Sequence, residues 1–95
     1  MVFTEAKPKS VTARKPMPMF RVLLHNDPIN KQDYVVEVLM KTIPAMTPPQ
    51  AQEIMLEAHQ NGMSVVIIVP KEHAEFYAEQ LQMHGLTSTI EPECC

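Results

Sequence analysis

The chain is poor in the residues that build most catalytic and phosphate-binding loops. It holds two glycines in 95 residues, so no glycine-rich cradle for a phosphate can form. Tryptophan is absent. The two cysteines, Cys94 and Cys95, are neighbours at the end of the sequence. Adjacent cysteines are poorly placed to staple a fold and match no common metal spacing, so we read 93–95 as an exposed tail. No apolar run approaches the ~20 residues of a membrane-spanning helix. The first ten residues include Glu5, Lys7, Pro8 and Lys9 and lack the apolar core of a secretory signal, so a cytoplasmic location is expected. No serine or cysteine lies in a nucleophile motif and no paired carboxylates stand out, which leaves catalysis little support. Eight Lys and Arg against eleven Asp and Glu give a net charge of -3. That balance argues against nucleic acid as a partner.

What is present divides into an arm and a body. Residues 1–17 carry Lys7, Lys9, Arg14 and Lys15 among Pro8, Ser10, Thr12 and Pro16, the composition of a flexible basic arm. The folded core is expected over 18–92. Met19 to His25 is a short apolar run and a strand candidate. Asn26-Asp27-Pro28 breaks it with a turn. Tyr34, Val35, Val38, Leu39 and Ile43 have helical spacing, with Asp33 at the start and Pro44 at the end. Thr47-Pro48-Pro49-Gln50 is a helix start with a capping box, and Gly62 is the matching stop. Residues 64–69 are β-branched and uniformly apolar, the pattern of a central strand. A third helix opens at Pro70-Lys71-Glu72 and stops at Gly85, and 86–90 is a last strand. The order β-α-α-β-α-β implies an α+β layer, a three-stranded antiparallel sheet with three helices on one face.

Few residues are set for chemistry. Asn26 and Asp27 follow the first strand and His59 lies near the end of the second helix. All three side chains can accept hydrogen bonds, histidine in its neutral form. Val35 and Met55, on the two helices after the turn, are apolar. Such a set suits a target with an ammonium group beside an apolar side chain. Each residue also has a plain structural reading. Asn26-Asp27-Pro28 is by default a turn, a histidine on a helix face is usually structural or solvated, and most of the eight methionines are packing residues. His25, His59, His73 and His84 have no close second ligand in a recognised metal motif. No metal and no cofactor is expected.

The stretch Phe20-Arg21-Val22-Leu23-Leu24-His25-Asn26-Asp27, followed by Asp33-Tyr34-Val35-Val36-Glu37-Val38-Leu39, resembles the first strand, acidic turn and first helix of the ClpS family. Ile54-Met55-Leu56-Glu57-Ala58-His59 is similar to that family's second helix and pocket histidine, and Thr89-Ile90-Glu91 to its closing strand. The match needs no gaps from Phe20 to Glu91. The resemblance implies a non-enzymatic adaptor that holds the N-terminal residue of a client, an N-degron, and delivers it to a Clp AAA+ unfoldase, ClpA or ClpC. It implies that Asn26, Asp27 and His59 hold the client's ammonium, and that Val35, Met55, Ala58 and Leu86 line a hole for large apolar first residues such as Leu and Phe. It also implies that Glu72 and Tyr77 fall where the family contacts the unfoldase's N-terminal domain. Nothing argues for more than a monomer.

Several positions depart from the family pattern. Pro28 replaces a second acid at the rim, which removes a carboxylate and a backbone N–H. Asn30 stands for a threonine and Gln32 for a methionine gatekeeper. Ala58 stands for a valine and enlarges the hole, Tyr77 replaces a basic residue, and Val66, Ile67 and Ile68 replace smaller ones. Two alternatives stay open: a ClpS-like regulator of the unfoldase with a narrowed or lost pocket, and a small metal-dependent enzyme using the histidines.

Overall fold

The computed structural model describes residues 17–93. The arm expected over 1–17 lies outside these residues apart from Met17, as do Cys94 and Cys95 of the expected tail. Among the described residues the elements are β1 (Met19–His25), α1 (Gln32–Thr42), α2 (Pro48–Asn61), β2 (Met63–Pro70), α3 (Lys71–Met83) and β3 (Ser88–Pro92). The expected α+β architecture is observed, with the helices on one face of an antiparallel sheet.

Local chemistry sets most boundaries. α1 buries Val35, Val38 and Leu39, one stripe at helical spacing. α2 carries the capping box: Thr47 Oγ1 accepts from the Gln50 N–H, and the Gln50 side chain accepts from the Thr47 N–H. These bonds satisfy donors that the first turn would otherwise leave orphaned. Gly62 closes α2 at φ 91°, in the left-handed region that favours glycine, and donates to Ala58 O at 2.8 Å. Gly85, also at φ 91°, turns the chain after α3.

The sheet order is β2-β1-β3, so β1 is central and β2 is an edge strand. This corrects the reading of 64–69 as the central strand. The uniform β-branched run hides a one-sided pattern: Ser64 and Val66 are buried, while Val65 and Ile68 are exposed. A bulge accounts for part of the run. Val22 pairs with Ile67 but Leu23 pairs with Val65, so Val66 is the extra residue and both it and Ile67 pack toward the helices. The true central strand is the one interrupted by Arg21. Its Val22, Leu23 and Leu24 are all buried, and Arg21 is held at the surface by Glu91 and Glu93. The last strand starts two residues later than the spacing predicts, because Leu86 is buried in the core cluster.

That core joins Val22 and Leu24 of β1 to Val38, Leu39, Ala51, Met55, Ala74 and Leu81 of the helices. Among the described residues no helix is long and apolar enough to cross a membrane.

Candidate functional site

Three chain segments meet where β1 ends. β1 points its last core residue, Leu24, toward the helices and then stops at His25. Two backbone bonds pin the exit: the His25 N–H donates to Thr87 O at 3.0 Å, and the Asn26 N–H donates to Gly62 O at 2.9 Å. Gly62 caps α2, which carries His59 three residues earlier. The second bond therefore brings Asn26 and His59 to one place from opposite sides of the fold. The His25 ring faces away from that place, with Nε2 2.7 Å from Thr89 Oγ1. This agrees with the alternation of side chains along a strand.

The segment from Asp27 to Asn30 is a turn organised by one carboxylate. Asp27 Oδ1 accepts from the Ile29 N–H at 2.9 Å and the Asn30 N–H at 3.0 Å. Asp27 Oδ2 accepts from Asn30 Nδ2 at 2.5 Å. Burial works against the charged form of this carboxyl, but bonds from the Asn30 side chain, the Asn30 N–H and the Ile29 N–H outweigh it. The pKa of Asp27 is held below the usual carboxylate value. The group at the rim is therefore an anion at neutral pH.

A small cavity of about 20 Å³ opens between this turn and the helices. His25, Asn26, Asp27, Asn30, Gln32 and His59 contribute its polar side, and Leu24, Val35, Met55 and Ala58 its apolar floor. It adjoins an open depression of about 630 Å³ that shares Asn26, Asp27, Asn30, Gln32 and His59 and adds Pro28, Lys31 and Asp33. The structure thus brings together nine of the residues singled out from the sequence: Asn26, Asp27, His59, Val35, Met55, Ala58, Pro28, Asn30 and Gln32. Leu86 is placed elsewhere: it is buried in the core cluster and does not line the cavity.

Glu72 and Tyr77 lie apart from this site, on α3. Glu72 is exposed and lines a separate groove with Met17, Phe20, Pro70 and Lys71. Tyr77 is half-buried and packs edge-on against Phe76 at 5.6 Å. Among the described residues no group of three His, Cys, Asp or Glu could hold a metal ion.

Sequence reasoning missed Leu24, Lys31 and Asp33 as lining residues. Leu24 carried a usable signal: it shares a strand face with Val22 and immediately precedes the turn. Lys31 carried none, since it reaches the depression only through the geometry of the loop.

A cavity with an anionic, acceptor-rich mouth and an apolar floor has the make-up of a binding site. The comparisons agree. The family model for the ATP-dependent Clp protease adaptor protein ClpS matches residues 15–89. The ClpS adapter of Gloeobacter violaceus is 57% identical over 91 residues, covering 96% of this chain and 98% of that one. The ClpS adapter of Synechococcus elongatus is 56% identical over 92 residues, 97% of each. A solved structure, Agrobacterium tumefaciens ClpS2 bound to L-phenylalaninamide, superposes with a TM-score of 0.74 at 28% identity, over 82% of this chain and all of that one. The chain belongs to the ClpS family of Clp protease adaptors and is not an enzyme.

Proposed function

We propose that this adaptor is a receptor for free protein N-termini that begin with a large apolar residue, and that it passes such clients to a Clp unfoldase. A single observation carries the reading. Asn26, Asp27 and His59, from two distant segments, converge at the mouth of a cavity floored by Leu24, Val35, Met55 and Ala58.

The chemistry of an N-terminus fits this mouth. An α-amino group has a pKa of about 8 and is an ammonium near neutral pH. Its N–H donors are met by the Asn26 side-chain oxygen, the Asp27 carboxylate and a neutral His59 nitrogen. The first side chain enters the floor, where burying a Leu or Phe side chain contributes about 1.5–3 kcal/mol. An internal residue offers no charge and a single backbone N–H in place of the ammonium's donors. L-Phenylalaninamide, the ligand of the Agrobacterium protein, has the same two parts, a free α-amino group and an apolar side chain. Ala58 leaves the floor beside Met55 wider than a valine would, which favours large first residues.

Delivery rests on a second surface. Glu72, exposed at the start of α3 and remote from the cavity lining, docks on the unfoldase's N-terminal domain, with Tyr77 further along the same helix, so that client and unfoldase are held at once. A cytoplasmic location and a monomeric adaptor belong to the same proposal.

Fluorescence anisotropy tests it, with peptides beginning in Leu, Phe, Tyr, Trp, Ile and Val and an N-acetylated Leu control. Binding of one or more large apolar N-termini, abolished by acetylation, supports the receptor. Silence of every peptide against a folded sample that still binds the unfoldase would leave a regulator of the unfoldase instead.

A further inference from the structure

We propose that Asn30 is the positioning residue of the N-terminus receptor: it aims the Asp27 carboxylate at the cavity mouth and anchors it to the turn between α3 and β3. The inference rests on the receptor reading above and extends it to how the anion is held.

Asn30 Nδ2 has two partners, Asp27 Oδ2 at 2.5 Å and Gly85 O at 3.0 Å. One is a carboxylate oxygen and the other a carbonyl, and both only accept. The amide must therefore turn its NH₂ end to them, which settles its orientation by chemistry. An NH₂ group has two hydrogens, so both are spent and the amide cannot rotate without losing a bond. The Asn30 N–H gives a further bond, to Asp27 Oδ1 at 3.0 Å. One residue thus fixes both oxygens of the carboxylate.

The count of acceptor positions then says where a client ammonium goes. A carboxylate offers about four lone-pair sites, two on each oxygen. The Ile29 and Asn30 N–H groups fill Oδ1, and the Asn30 side chain takes one site on Oδ2. The open site is on Oδ2, the oxygen whose direction the Asn30 side chain sets.

The anchor is itself rigid. Gly85 sits at φ 91° and its N–H donates to Gln82 O at 2.9 Å, while the Leu86 N–H donates to Leu81 O at 3.1 Å. The preceding carbonyl, His84 O, accepts from Tyr34 Oη at 2.7 Å. Two consecutive carbonyls of one turn therefore hold the rim loop and the first turn of α1. The charged and titratable groups around the Asp27 carboxylate are Lys31 and Asp33 from the start of α1 and His59 from α2. The α3–β3 turn presents the Gly85 carbonyl, and the His84 ring is engaged with Gln80 O at 2.9 Å.

The test compares the full chain with Asn30→Leu, close in shape without donors, and Asn30→Thr, with one side-chain donor for two acceptors. Two quantities are read: the affinity for a Leu-initiated peptide at neutral pH, and the ¹³C carboxyl titration of Asp27 in the free protein. Asn30→Leu is expected to weaken binding on the order of tenfold at neutral pH. It also moves the Asp27 titration upward, with Asn30→Thr between. A residue that merely props the loop would lower affinity and leave the Asp27 titration in place. That result, or an unchanged affinity, overturns the proposal. If Asn30→Leu does not fold, Asn30→Thr carries the same comparison. If the unsubstituted chain binds no peptide, the receptor reading fails, and the Asp27 titration alone still decides whether Asn30 sets the carboxylate.

Discussion

Asp27→Asn is the sharpest perturbation of the site, because it changes charge at constant shape. The two backbone bonds to Oδ1 survive, since an amide oxygen still accepts from the Ile29 and Asn30 N–H groups. The other end is inverted. An NH₂ group now faces Asn30 Nδ2, which had donated to Oδ2 at 2.5 Å, and faces the client's ammonium as well. A hydrogen bond to a charged group contributes about 1.5–3 kcal/mol, and about 1.4 kcal/mol is a factor of ten in affinity. The expected loss is therefore about 10- to 150-fold in the Kd for a Leu-initiated peptide. The turn keeps its two backbone bonds but loses the Asn30 side-chain bond to Oδ2, so stability falls by about 1–3 kcal/mol. Anisotropy at neutral pH gives the first number and thermal unfolding the second. A loss under about threefold, from a variant that stays folded, would show that the anion at the rim does not hold the ligand, and the ammonium reading would fall with it.

Four further outcomes follow from the same geometry. Asp27 is held below the ordinary carboxylate range by its loop bonds, so its contribution to stability is fully present above its unfolded pKa of about 3.9 and is lost as pH falls through the lower folded value. Peptide binding should lose its alkaline limb above about pH 8, as the client amine deprotonates; affinity that persists unchanged well above that pH in a pH series would contradict this. Ala58→Val places two methyl groups at a site buried beside the cavity floor, and should cost about 1–3 kcal/mol in overpacking and weaken Trp- and Tyr-initiated peptides more than Leu-initiated ones, as read by anisotropy. Thr47→Ala removes the capping box of α2, about 1 kcal/mol of stability by denaturant unfolding, with peptide affinity unchanged because the cap is far from the mouth. Glu72→Lys, on α3 and outside the cavity lining, should abolish co-purification with the unfoldase while leaving peptide binding intact.

Much of the fold was legible because its signals are local. Thr47, Pro48 and Gln50 specify a helix start by themselves, and Gly62 and Gly85 specify the ends that need a left-handed residue. The order of strands in the sheet is not local, and there the sequence misled. A run such as Val65, Val66, Ile67 and Ile68 reads as buried on both sides, although the bulge at Val66 and two exposed members make it an edge. β1 hid its central place behind Arg21, whose charge is answered by Glu91 and Glu93 across the neighbouring strand and just beyond it. A pairing seventy residues apart leaves no pattern in either segment.

Pro28 at the rim has a second consequence besides the loss expected from the sequence. By sequence, Pro28 removes an acid and a backbone donor. In the structure Pro28 lies between Asp27 and the two N–H groups that Asp27 Oδ1 accepts. A proline ring sets φ near -65°, so the chain enters the turn with one torsion already restricted, and less conformational freedom is lost when the Asp27 carboxylate is fixed. The remaining carboxylate is then held by Ile29 and Asn30 and tied to Gly85. The rim thus carries the Asp27 charge in a fixed direction. For a ligand that brings a single ammonium, direction matters more than a second carboxylate, because the second must also be desolvated when the client covers it.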